Sequence, residues 1–149
     1  MSFYHALQGI WGAIRSEAHL RFHIMIAVLI LVFAYFYGMN STDWAILILM
    51  IGAVISAELF NTALERAVDT ATDEIKPSAK LAKDSAAGAV LVLAAASVFV
   101  GICLFGNIER ILTTLKLIFT TTKILIPCLL TGLLGVIFVI YGGKDGKKV

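Results

Sequence analysis

Apolar residues fall into four long blocks along the chain, separated by short polar stretches. A membrane-crossing helix needs about 20 mostly apolar residues, with a range of roughly 17–25. The blocks run from Ile24 to Gly38, Trp44 to Leu64, Ala86 to Gly106 and Leu117 to Tyr141. The fourth carries Lys123 and Pro127 in its first half, which predicts a kinked or late-starting helix. Ahead of the first block, Phe3, Leu7, Ile10, Trp11, Ile14 and Ala18 recur at spacings of three and four. His5, Gln8, Arg15, Ser16, His19 and Arg21 lie mostly elsewhere around the same helix. Residues 1–23 therefore predict an amphipathic helix in the membrane interface, with Trp11 at headgroup level. The alternative is a polar-flanked extension of the first span.

Composition agrees. Of the 149 residues, 60% are hydrophobic and the mean hydropathy is +0.94. An ordinary soluble domain is about 45–50% apolar. The excess argues against a soluble globular domain and a disordered tail. A net charge of only +2 gives no basic field for nucleic acid. The expected fold is an all-α integral membrane protein. An interfacial helix covers 1–23, three core spans cover 24–106, and an extra C-terminal segment with a fourth span covers 107–149. The start lacks the basic leader and A-x-A site of a secretory signal, so none is expected. Cys103 and Cys128 both lie in apolar runs and read as small buried residues.

Lysine and arginine set the orientation. Alternating spans place Arg15, Arg21, Arg66, Lys76, Lys80, Lys83, Lys144, Lys147 and Lys148 on one side. Only Arg110, Lys116 and Lys123 fall on the other. The expectation is a bacterial cytoplasmic membrane protein with both termini and the 65–85 loop in the cytoplasm. Without the fourth span the asymmetry vanishes, so the charges support that span.

Charges inside or beside a span are costly and usually functional. Glu58 interrupts the second apolar block, and Asn61, Glu65 and Asp69 follow it. At 3.6 residues per turn, these four fall on one stripe about 80° wide. Thr62 lies close to it. A rise of about 1.5 Å per residue puts Glu58 some 10 Å deeper than Glu65. Glu58 then sits near the depth of lipid hydroxyls, with Glu65 and Asp69 near the aqueous boundary. A plain solvated helix end accounts for Asp69, Asp73 and Glu74, but not for Glu58 with apolar residues on both sides. Glu17 precedes the first span and has Arg21 as its ordinary i+4 partner. Lys83-Asp84 is expected to open the third helix, where Asp84 would suit a cap.

Carboxylates that cannot neutralise one another invite a hard divalent cation. Mg²⁺ takes a few carboxylates together with substrate phosphates. Lys83 could counter phosphate charge. A buried glutamate at hydroxyl depth could act as general base. Together these are the parts of phosphoryl transfer to a lipid hydroxyl. The chain has neither G-x-x-x-x-G-K-[ST] nor G-x-G-x-x-G, so a soluble-type phosphate loop is not expected. His19 and His23 have metal-compatible i, i+4 spacing, but a third ligand is missing from the sequence around them.

Two stretches carry a family resemblance. Glu58-Leu-Phe-Asn-Thr-Ala-Leu-Glu65-Arg-Ala-Val-Asp69 and Ala82-Lys83-Asp84-Ser-Ala-Ala-Gly-Ala-Val90 resemble the prokaryotic diacylglycerol kinase/undecaprenol kinase family. Glu17 matches the family's acidic position before the first span. The resemblance covers about residues 3–106. It implies a small membrane kinase using ATP and Mg²⁺, built as a homotrimer with sites between subunits. It implies Glu58 as general base and Glu17 and Glu65 as metal and nucleotide ligands. Asn61 and Asp69 would support the site, and Lys83 and Asp84 would bind nucleotide. Glu74, Lys76 and, more weakly, His5 fall where the family contacts nucleotide. The wording of Ala6–Ile10 and of the Ala79–Val90 stretch looks more like the undecaprenol kinases of Gram-positive bacteria. Two features depart from the pattern. Residues 107–149 extend beyond the usual end, and the family often has more basic residues than this chain carries before Arg15.

The expected activity is phosphorylation of a membrane lipid alcohol, undecaprenol before diacylglycerol. A small ion-coupled transporter with Glu58 as carrier explains a membrane carboxylate but not the ladder beside Lys83-Asp84. A non-enzymatic membrane subunit predicts that Glu58→Gln keeps function.

Overall fold

The computed structural model describes residues 2–71 and 76–143. Among them are six helices: α1 (Ser2–Ser16), α2 (Ala18–Tyr37), α3 (Ser41–Ala71), α4 (Pro77–Leu104), α5 (Ile108–Thr120) and α6 (Thr122–Tyr141). Helices α2, α3, α4 and α6 are long and apolar enough to cross a membrane. The protein is thus an all-α, multi-pass membrane protein with four spans.

The α1 helix is amphipathic, with Ala13 buried and Phe3, Leu7 and Trp11 exposed. It stops seven residues before the expected end of the interfacial segment. Glu17 is extended, and the membrane helix begins at Ala18, not Ile24. No proline or glycine causes this break. The Arg21 guanidinium stabilises it by donating to the freed carbonyls of Ile14 (2.8 Å) and Arg15 (3.0 Å). Arg21 is itself buried.

Gly38 ends α2 in a left-handed conformation, φ 72°, which glycine adopts without a Cβ penalty. The Asn40 side chain then accepts from the backbone N–H groups of Thr42 and Asp43, starting α3. At 31 residues α3 is about 46 Å long, well beyond a hydrocarbon core of about 30 Å. The C-terminal part of α3 carries Glu65 and Asp69 on the same continuous helix as Glu58.

Pro77 occupies the first turn of α4, where its missing N–H costs nothing. The helix therefore starts nine residues before the expected span. Lys83 and Asp84 lie inside it rather than opening it, and Asp84 is not its cap. The α4 helix packs along α3 with no side chain fully buried.

The C-terminal segment forms two helices. The Asn107 side chain caps α5 by accepting from the Arg110 N–H at 2.9 Å. The consecutive threonines at 120–122 favour non-helical backbone, and Thr121 is extended. The fourth span consequently begins at Thr122 rather than Leu117. It runs back along α2, with Pro127 inside it. Contact is closest at Gly135, where a Cβ would meet Met25 Cγ at 2.6 Å. Near its end, the Val139 carbonyl accepts from Arg21 Nε at 3.2 Å. This places the C-terminal ends of α1 and α6 at the same end of the bundle.

Candidate active site

The polar stripe on α3 is the frame of the site. Glu58, 6% exposed, is the one acidic residue buried among the described residues. Its Oε1 lies 3.1 Å from His23 Nε2 on α2. One turn along α3, the Asn61 amide nitrogen donates to Glu65 Oε1 at 2.9 Å, as the i+4 spacing predicts. The buried Asn61 carbonyl oxygen has no protein partner. A turn further, Asp69 Oδ1 accepts from Lys83 Nζ of α4 at 2.5 Å. The motif lysine is thereby turned toward the acidic ladder. Thr62 is buried on the same side of α3.

Glu17 reaches this end through the backbone. Arg66 Nη2 donates to Ser16 Oγ at 2.5 Å, tying the α1–α2 junction to α3. The residues next along the chain from these two are Glu17 and Glu65. The expected Glu17–Arg21 pair does not form, because Arg21 is spent on backbone carbonyls. The Glu17 carboxylate is half-buried and pairs with no described residue. Asp84 is exposed on α4. Lys76 is the extended residue before α4. Glu74 lies outside the described residues. His5 sits on the exposed α1, edge-on to Tyr4. His19 and His23 do not pair as metal ligands: His19 is exposed while His23 faces Glu58.

Among the described residues, no three of His, Cys, Asp and Glu converge as a closed metal cage. Mg²⁺ does not require one, since it binds through one or two carboxylates, substrate phosphates and water. The unpaired Glu17 carboxylate, the remaining oxygen of Glu65 and the orphaned Asn61 carbonyl suit such an open site. All three are oxygen donors, the type a hard cation prefers.

Two apolar openings adjoin the ladder. One, of about 360 Å³, lies between α3 and α4, with Ala53, Ala57, Ala86 and Ala89 leading to Asn61. The other, of about 90 Å³, lies between α2, α3 and α4 and has His23 as its one ring capable of hydrogen bonding.

Sequence reasoning missed His23 and Arg21. The sequence pointed each toward a neighbour on its own helix, while their actual partners lie across a helix interface or a chain break. A histidine one turn inside an apolar span was the available signal for the first.

Comparisons with known proteins agree with the motifs. The family model for prokaryotic diacylglycerol kinase matches residues 4–105. The chain is 43% identical over 104 residues to the undecaprenol kinase of Bacillus subtilis, covering 70% of this chain and 85% of that protein. It is 39% identical over 105 residues to a diacylglycerol kinase of Synechocystis, covering 70% of this chain and 60% of that protein. A diacylglycerol kinase of Helicobacter pylori is 31% identical over 91 residues, 61% of this chain and 71% of that protein. No solved structure matches the chain. The α5–α6 segment lies beyond the matched region. The chain belongs to the prokaryotic diacylglycerol kinase family and is a membrane lipid kinase.

Proposed function

We propose that the protein transfers the γ-phosphate of ATP, with Mg²⁺, to the hydroxyl of undecaprenol. The observation that carries this reading is the graded ladder on α3. A carboxylate is buried within the apolar part of α3, and further carboxylates with Lys83 lie two to three turns along toward its polar end. A lipid hydroxyl and a nucleotide phosphate meet only at such a boundary. The α3–α4 opening offers the hydrocarbon chain a path to it. The similarity to a protein named undecaprenol kinase, over 85% of its length, favours the polyprenol over diacylglycerol.

In this mechanism Glu58 accepts the hydroxyl proton as the lipid oxygen attacks the γ-phosphorus. The new O–P bond replaces the bond to the bridging oxygen, and ADP departs. Glu17 and Glu65 would hold Mg²⁺, with Asn61 keeping Glu65 in place. When bound, the ion neutralises charge on the phosphates. Lys83, held by Asp69, faces the phosphates, while Asp84, Lys76 and Glu74 contact the nucleotide. The ladder faces the cytoplasm, in line with the excess of Lys and Arg at that end. The unburied α4 face suits assembly into a homotrimer.

The test is a parallel assay of purified protein with labelled ATP, Mg²⁺ and either undecaprenol or diacylglycerol in micelles. Label in the polyprenol alone, or far faster there, is expected. Faster labelling of diacylglycerol assigns the enzyme to phosphatidic acid production instead. Label in neither, with folded protein, returns Glu58 to the role of an ion carrier.

A further inference from the structure

Each acidic member of the ladder has a distinct partner. Glu65 takes an amide from its own helix, and Asp69 takes a lysine from α4. Glu58 alone takes an imidazole, from α2, at 3.1 Å. A carboxylate at this depth needs a donor, because an unpartnered buried charge is expensive. An amide or hydroxyl would serve for stability. An imidazole adds something more: one ring nitrogen can donate to the carboxylate, while the ring itself can hold a second proton.

We propose that His23 is a positioning residue for phosphoryl transfer, acting through Glu58. This rests on the reading of Glu58 as general base. The His23 Nε2–H binds Glu58 Oε1 and so leaves Oε2 free to take the proton from the lipid hydroxyl. The contact fixes the plane of the carboxylate between α2 and α3. The proton count closes within the site. The lipid O–H bond breaks, Oε2 gains the proton, and the lipid oxygen keeps the electron pair that forms the O–P bond. Glu58 then returns the proton to water after ADP and product leave, aided by His23, whose side chain is one quarter exposed. From α3 the neighbouring polar groups are Asn61 and Thr62. From α4, Ser97 lines the opening that His23 borders. On α2 the nearest histidine is His19, one turn earlier and exposed.

A purely structural tie between α2 and α3 would also show a 3.1 Å contact. The two roles separate by kinetics. The full-length protein is assayed in micelles with undecaprenol and Mg²⁺–ATP as wild type, His23→Phe, His23→Gln, Glu58→Gln and the His23→Phe/Glu58→Gln double variant. His23→Phe keeps the ring volume but lacks the donor. It is expected to lower kcat by roughly 10–100-fold, the loss typical of removing an orienting partner, with KM for both substrates unchanged. His23→Gln supplies an N–H and is expected to recover most of that loss. In the Glu58→Gln background His23→Phe should add nothing, because both changes disable one unit. The imidazole ¹⁵N resonances of His23, which report without turnover and without any His23 variant, should shift in Glu58→Gln.

Wild-type kcat in His23→Phe, with Glu58→Gln inactive, overturns the role of His23 and leaves the base intact. A multiplicative loss in the double variant also overturns it. Unshifted His23 resonances in folded Glu58→Gln protein overturn the contact itself. Full activity of Glu58→Gln overturns the base reading, and the proposal falls with it.

Discussion

At the end of the bundle holding Gly38, Tyr37 packs against Phe105 at 5.1 Å between ring centroids, and Phe33 against Phe105 at 5.4 Å. Arg110 covers the Tyr37 ring at 4.6 Å and donates to the Gly38 carbonyl. Buried Ala34, Tyr37, Met39 and Leu47 form the core cluster there. At the opposite end, the same helices hold Glu58, Asn61, Glu65 and Asp69. There the contacts are polar, and Glu17 and the Asn61 carbonyl keep capacity for further ligands. One end closes on itself and the other stays chemically open. Aromatic packing can hold the spans in register, so the ladder need not supply stability and can be kept for a ligand.

The sharpest way to break this contrast is Glu58→Gln. It should lower kcat by about 10²–10⁴-fold, the usual worth of a general base, while nucleotide binding survives. Rates and ATP titration on the same preparation check it. Normal turnover would make the polar end a mere helix contact. Glu17→Gln and Glu65→Gln come next. Each should raise the Mg²⁺ needed for half-maximal rate, and Asn61→Ala should do so by roughly 10–100-fold through Glu65. A metal titration decides, and an unmoved midpoint removes these residues from the ion.

The aromatic end should respond in stability instead. Phe105→Ala removes two aromatic contacts, each worth about 0.5–1.5 kcal/mol. The unfolding midpoint in detergent should fall, with kcat per folded molecule unchanged. Arg110→Ala should cost less, about 0.5–1 kcal/mol from the cation–π contact. If either change at the aromatic end altered the Mg²⁺ requirement, the two ends would not be separate.

Much of the polar end was legible because a helix makes local spacing into geometry. The offsets of Asn61, Glu65 and Asp69 from Glu58 sufficed to place them on one stripe, and the Asn61–Glu65 bond follows from i+4 alone. The Lys83–Asp69 contact was not anticipated, because it depends on the α3–α4 packing. Arg21 shows where local reasoning failed. Glu17 stood at i−4 and was its expected partner, yet the chain breaks between them at Glu17 itself. A residue outside the helix no longer follows the helical period. The early start of α4 was missed for a related reason. Residues 77–85 are too polar to read as membrane span, but the C-terminal part of α3 gives them a helix to pack on.

The sequence by itself determined the four spans, the charge asymmetry, the family and the place of Glu58 within an apolar run. These depend on composition and period, which the bilayer converts directly into structure. Only the tertiary structure decided that His23 faces Glu58, that Arg21 caps α1 and holds α6, and that α6 lies along α2. The His23–Glu58 and Arg21–Val139 contacts join residues 35 and 118 positions apart. No local period specifies them, because they depend on how close two helices approach and on which faces they turn to each other.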